Sequence, residues 1–133
     1  MKLIIAGSRD IEGVDEEVLS RWLFLAGFPP VAVSEVVSGG ARGIDTLGEE
    51  WASYFGIPVK RFPAQWNRYG KIAGKLRNRQ MAEYVKEHNG ALFAVWDGMS
   101  PGTAHMIAIA TALGLRVHVR LVEGDEDERG DRR

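Results

Sequence analysis

Alternation constrains this chain more than any other feature. Short apolar runs, most of them closed by glycine, take turns with segments whose apolar residues recur every three to four positions. "KLIIA" stops at Gly7, and a first helix is expected from Asp15, with Val18, Leu19, Trp22, Leu23 and Ala26 on one face and Gly27 as its stop. "SEVVS" is the second strand. A second helix then carries Ile44, Leu47, Trp51, Ala52 and Phe55 and ends at Gly56. "PVKRF" is a short third strand, and a third helix is expected from about Ala73 to His88, with Leu76, Met81, Tyr84 and Val85 for packing and Asn89-Gly90 as its stop. "ALFAVWD" is the fourth strand. A fourth helix follows Thr103, with Met106, Ile107, Ile109, Ala110 and Leu113 before Gly114, and "RVHVRLV" is the fifth strand.

Strands that alternate with helices imply right-handed crossovers and a parallel sheet covered on both faces. The expected fold class is therefore α/β: one domain over residues 1–122, with a five-stranded parallel sheet and helices on both faces. Strand chemistry suggests the order. "KLIIA" and "ALFAVW" are apolar throughout, as doubly buried central strands must be, whereas "PVKRF" and "RVHVRLV" carry charges suited to edges. The order 3-2-1-4-5 satisfies this and reverses the crossover direction between strands 1 and 4. Ligands of open α/β sheets bind at that reversal, outside the carboxyl ends of the strands.

Composition narrows the chemistry. The chain has no cysteine, which removes disulfides, thiolate catalysis and Cys-ligated metals. Its N-terminal apolar run is too short for a signal segment or a membrane span, so a cytoplasmic protein with no membrane contact is expected. Net charge is −1, but Lys60–Arg79 holds seven basic residues and no acid. The segment 123–133 holds six acids against three arginines, lacks apolar residues and is expected to be a disordered acidic tail. Trp22 and Trp51, on helices, are core residues or else a face for a homo-oligomer. The three histidines, His88, His105 and His118, lie far apart, so no motif calls for a metal.

Three loops meet at the strand ends: "AGSRD", "SGGARGID" and "WDGMSPGTAHM". The last two lead straight into helices, whose first N–H groups lack intrahelical partners and attract anions. Glycine lets a phosphate approach the backbone, Ser8, Ser38, Ser100 and Thr103 add hydroxyls, and Arg9 and Arg42 add charge. The neutral reading of these residues is packing glycines, helix caps and surface cations. Three such loops converging on one sheet edge favour a phosphate-bearing ligand.

The motifs "AGSR", "VSGGARGID", "AGKLRNRQMA" and "WDGMSPGTAHMI" resemble the SLOG superfamily, and within it the small YspA/YpsA-related members, over residues 2 to 121. The resemblance implies a Rossmann-like domain that binds a nucleotide or nucleotide-derived ligand, as a sensor or accessory protein. Carried over by motif, the binding candidates are Gly7, Ser8, Arg9, Ser38, Gly39, Gly40, Arg42, Asp45, Arg77, Asn78, Asp97, Gly98, Ser100, Gly102 and Thr103. The superfamily includes LOG-type phosphoribohydrolases, which implies a second reading, hydrolysis of a nucleotide's N-glycosidic or phosphate linkage. Met106, however, stands where their P-G-G-x-G-T-x-x-E signature has its glutamate. Asp97 and then Asp45 are the candidate catalytic carboxylates in its place. His105 reads as a neutral packed or surface histidine, and Glu49 and Glu50 as solvated. "SGGARGID" and "RNR" are also similar to elements of DprA, which implies a third reading, single-stranded nucleic-acid binding by Phe62, Trp66 and Tyr69 among the cations of Lys60–Arg79. Arg68 and Lys71, in "QWNRYGKIAG", are placed to close over a phosphate ligand. No cofactor is required. Magnesium riding on the phosphates of a bound nucleotide is compatible with this reading, with Asp97 as its candidate protein ligand.

Overall fold

Strands that are apolar on both sides need cover on both faces, and the chain supplies two helices to each. The computed structural model describes residues 1–122. It consists of β1 (Lys2–Gly7), α1 (Glu16–Leu25), β2 (Glu35–Ser38), α2 (Ile44–Tyr54), β3 (Val59–Arg61), α3 (Trp66–Tyr69), α4 (Ala73–Lys86), β4 (Ala91–Trp96), α5 (Pro101–Ala112) and β5 (Arg116–Leu121), with short 3-10 turns at Pro30–Ala32 and Gly70–Ile72. All strand pairs are parallel and the order is β3-β2-β1-β4-β5, an α/β Rossmann-like fold. Leu3 of β1 faces Val36 of β2 on one side and Ala91 of β4 on the other.

Alternation along β1 divides the core. Leu3 and Ile5 point to the α1–α2 face, with Leu19, Leu23, Ile44 and Trp51, while Ile4 and Ala6 point to the α4–α5 face, with Met81, Val85, Met106 and Ala110. Each fully buried large side chain contributes roughly 1.5–3 kcal/mol. Gly48 lets α2 settle on the sheet, because a Cβ there would lie 2.8 Å from Ile5 Cγ2.

Several local expectations shift. α1 is capped as expected, Asp15 Oδ1 accepting the Val18 N–H at 2.9 Å. α4 is shorter than its pattern and stops at Lys86, where Asn89 takes a positive φ of 57°. α5 starts at Pro101, ahead of Thr103, because proline is suited to a first turn that needs no N–H at that position. The loop before α4 holds the helical turn α3, which has no apolar periodicity to announce it. Trp51 is fully buried, which removes it from any subunit face, while Trp22 is half-buried under the Arg120 guanidinium, 4.4 Å from its ring centre. Leu76 is 37% exposed and Phe55 42%, so neither is the core residue its spacing suggests. The acidic segment 123–133 lies outside the described residues.

Candidate functional site

β1 and β4 are adjacent, yet their following helices leave toward opposite faces of the sheet. A cleft opens at that point. It has a cavity of about 520 Å3, within the usual range for small-molecule sites. Its walls come from the β1 loop (Gly7 to Asp10), the β2–α2 segment (Ala41, Asp45), α3 and α4 (Trp66, Lys71, Gly74, Lys75, Arg77, Asn78, Met81), and the start of α5 (Ser100 to Thr103, His105, Met106).

Three hydrogen-bonded assemblies hold these walls. In the first, Arg77 Nη1 donates to the Gly39 carbonyl at 2.7 Å, and Arg77 Nε donates to Asn78 Oδ1 at 3.1 Å. Asn78 Nδ2 then reaches the Gly102 carbonyl at 3.3 Å and His105 Nδ1 at 3.1 Å, so α4 ties the β2 loop to α5. In the second, Ser8 Oγ accepts the Asp97 N–H at 3.2 Å and lies 2.9 Å from Ser100 Oγ, joining the β1 and β4 loops. In the third, Ser38 Oγ donates to Glu49 Oε2 at 2.6 Å and accepts the Gly40 N–H at 3.0 Å, while Arg61 grips Glu49 through Nε and Nη2 at 3.0 and 2.7 Å.

Cations outnumber acids along the cavity. Arg9, Lys71, Lys75 and Arg77 line it, against Asp10 and Asp45. Asp10 is itself paired with Arg42, whose Nη2 lies 3.1 Å from Asp10 Oδ1 in a mostly exposed bridge. Burial pushes the Asp45 carboxyl up to about 6, against the pull of the Ala41 N–H and the Arg77 charge. Burial also lowers Arg77, with Asp45 opposing and Arg9 adding to the effect. At the start of α5 the Gly102 and Thr103 N–H groups belong to the first turn, and no side chain caps them. The floor is apolar, formed by Ala6, Met81 and Met106.

The sequence-derived candidates divide. Gly7, Ser8, Arg9, Asp45, Arg77, Asn78, Ser100, Gly102 and Thr103 meet around the cavity. Ser38 and Gly39 lie behind it: Ser38 is committed to Glu49, and Gly39 backs the Arg77 guanidinium. Gly40, Arg42 and Gly98 are exposed and do not line it. Asp97 is turned away. Its partial burial would raise it, but the N–H groups of Met99 and Ser100 at 2.8 and 2.9 Å and the Ser100 hydroxyl hold it below the usual carboxylate range. Arg68 rests on the Tyr69 ring and does not line the cavity, whereas Lys71 does. Glu49 is not the solvated residue its position suggests: its side chain is 14% exposed, and although burial pushes it up, Arg61 and Ser38 hold it low.

Sequence reasoning passed over Lys75 and set His105 aside as packed or surface. A usable signal existed, since Lys75 and Asn78 are three residues apart on the helix expected from about Ala73 and so share a face. No group of three or more His, Asp and Glu among the described residues is placed to hold a metal ion. Asp97, the magnesium candidate, does not line the cavity, and its Oδ1 accepts the Met99 and Ser100 N–H groups. No described helix is long and apolar enough to cross a membrane.

The model of the YAcAr family, described as the YspA, cpYpsA-related SLOG family, matches residues 1–69. The chain belongs to that SLOG family. The Gene 61 protein of Mycobacterium phage D29 is 36% identical over 87 residues, 62% of this chain and 67% of that protein. No solved structure matches. The SLOG match spans β1 through α3 and so includes the β1 loop, Asp45 and Trp66, whereas the α4 and α5 walls lie beyond it.

Proposed function

We propose that this SLOG protein binds a nucleotide or nucleotide-derived molecule in the cleft between the β1, α4 and α5 walls, as a sensor or accessory protein. The observation that carries the reading is the cavity's make-up: four cations and the uncapped first turn of α5 face one 520 Å3 space at the reversal of the sheet. An anion is the ligand such a wall stabilises. Trp66, 50% exposed, lies beside Gly74 with its ring edge 3.3 Å from where a Cβ would stand, and its indole borders the cavity. A phosphate on the cations and a base against Trp66 is the arrangement this supports.

The test is a thermal-shift panel of AMP, ADP, ATP, NAD and ADP-ribose. A ligand at 100 times its dissociation constant stabilises the fold by about 2.7 kcal/mol. The expected result is a saturable rise in Tm for at least one nucleotide, lost in Arg77→Ala. No response to any of them at millimolar concentration would end this reading.

Hydrolysis is the second reading, and Asp45 favours it over Asp97. Asp45 lines the cavity, is buried and titrates near 6, which suits a group that moves a proton at neutral pH. In the N-glycosidic case water's hydroxyl joins the sugar carbon, and its proton passes through Asp45 to the departing base. Met106 adds no proton chemistry to the cavity floor. Release of free base from a responding nucleotide, abolished by Asp45→Asn but retained in Asp97→Asn, is the expected signature. A responding nucleotide recovered intact after long incubation rules hydrolysis out for it.

A further inference from the structure

The Asn78 amide is held from both sides, which fixes the chemistry of a neighbouring ring. Its Oδ1 lies 3.1 Å from Arg77 Nε, a group that can only donate. Its Nδ2 is therefore the end that faces the Gly102 carbonyl and His105 Nδ1. An amide nitrogen also only donates, so His105 Nδ1 accepts and carries no proton. Burial of the ring and the nearby Lys75 charge both lower the His105 pKa and keep the ring neutral. A neutral imidazole with a bare Nδ1 bears its single proton on Nε2. Among the described residues no group accepts from that nitrogen, and His105 lines the cavity. It stands one helical turn after Gly102, on the same side of α5.

We propose that His105 is a ligand-binding residue that donates its Nε2–H to a non-bridging phosphate oxygen at the first turn of α5, in the single tautomer imposed by Asn78. The inference rests on the nucleotide reading of this cleft and names what reads the phosphate there. A phosphate oxygen fits better than a base atom because the neighbouring donors are the free Gly102 and Thr103 N–H groups, which attract anions. As an uncharged donor, His105 adds a hydrogen bond without adding another positive charge beside Lys75. It also rejects a ligand that offers only an N–H donor at that point, because two facing donors cannot pair.

The test has two parts, both on the full chain. In the ligand-free protein at pH 7, histidine 15N spectra should show the Nε2–H tautomer for His105. Asn78→Asp, which replaces the donor by an acceptor, should move the proton to Nδ1 and raise the His105 pKa. A wild-type ring that is Nδ1-protonated or doubly protonated at pH 7 overturns the inference. In the second part, inorganic pyrophosphate and AMP are titrated by calorimetry into wild type, His105→Ala and His105→Gln. Loss of a hydrogen bond to a charged group weakens both probes by about tenfold or more in His105→Ala, and His105→Gln, which keeps a donor near the Nε2 position, retains most of the affinity. Weakening of AMP alone would assign His105 to the base, and unchanged affinity for both would remove it from the site. Either result overturns the proposal. Failure of wild type to bind either probe overturns the phosphate assignment, while the thermal-shift panel judges the nucleotide reading and the spectra judge the tautomer independently.

Discussion

Gly39 and Gly43 sit four residues apart and are glycine for different reasons. At Gly39 a Cβ would fall 2.6 Å from Arg77 Nη1 and 2.9 Å from Asp45 Oδ2, both of them side-chain atoms that border the cavity. At Gly43 it would fall 2.5 Å from the Arg9 carbonyl oxygen, and φ is +82°. Gly39→Ala should displace the guanidinium, weakening phosphate binding by about tenfold while lowering stability by only about 1–2 kcal/mol. Gly43→Ala meets unyielding backbone at a disfavoured φ and should cost about 2–4 kcal/mol of stability. Urea melts and calorimetry on both variants check the contrast. Asp45 adds a pH signature. Its folded pKa of about 6 lies above the ordinary value of 3.8, so the folded state holds the proton more tightly than the unfolded one. Its contribution therefore falls as pH rises from about 4 to 6, by about 3 kcal/mol in total, and stays low above that. In urea melts from pH 4 to 7.5, Asp45→Asn should lose this component and gain stability relative to wild type toward neutral pH.

At the scale of elements, α4 matters to the cleft more than its modest apolar face suggests. Arg77 and Asn78 reach outward from it to β2's loop and to α5, so its N-terminal half is the brace between the two walls. Asn78→Ala should lower stability by about 1–3 kcal/mol, since it leaves the Gly102 carbonyl and His105 without their donor, and should weaken phosphate binding as well. Asp15→Ala is the matched control. It removes the cap of α1, costs about 1 kcal/mol, and should leave affinity unchanged because α1 lines no part of the cavity. Equal losses of affinity in the two variants would show that the cleft responds to global stability rather than to α4. The long helices were legible in the sequence because apolar spacing within one helix is a local property. α3 was not, since none of its four residues is buried.

At the scale of the whole molecule, the basic run Lys60–Arg79 does not form one surface. Arg61 is spent on Glu49 and Arg79 on Glu83, while Lys71, Lys75 and Arg77 line the cavity. Phe62 packs against Tyr84 with ring centres 5.4 Å apart and is not free to stack on a base. Cations divided in this way suit a compact ligand better than a strand of nucleic acid, which needs a continuous groove. A single-stranded oligothymidylate should therefore bind no more than a few-fold tighter than a mononucleotide at matched salt. Oligonucleotide binding that strengthens steadily with length and falls steeply with salt, and that is lost in Trp66→Ala, would restore the nucleic-acid reading.

The sequence by itself determined the strands and the main helices and the order of the sheet, and it pointed to the sheet reversal where the cleft opens. Those depend on properties each segment carries alone: periodicity, the two-sided apolarity of β1 and β4, and glycine at the strand ends. The tertiary structure decided which side chains arrive at that place. Asp97 and Asp45 look equivalent as carboxylates near strand ends, but only packing turns Asp97 onto the backbone of its own loop and buries Asp45 against the cavity. Ser38 appears in the sequence as a loop hydroxyl and is in fact held by Glu49, eleven residues on. His105 acquires a defined proton position only through Asn78, which lies on another helix. Such assignments depend on contacts between elements distant in the chain, and no local pattern encodes them.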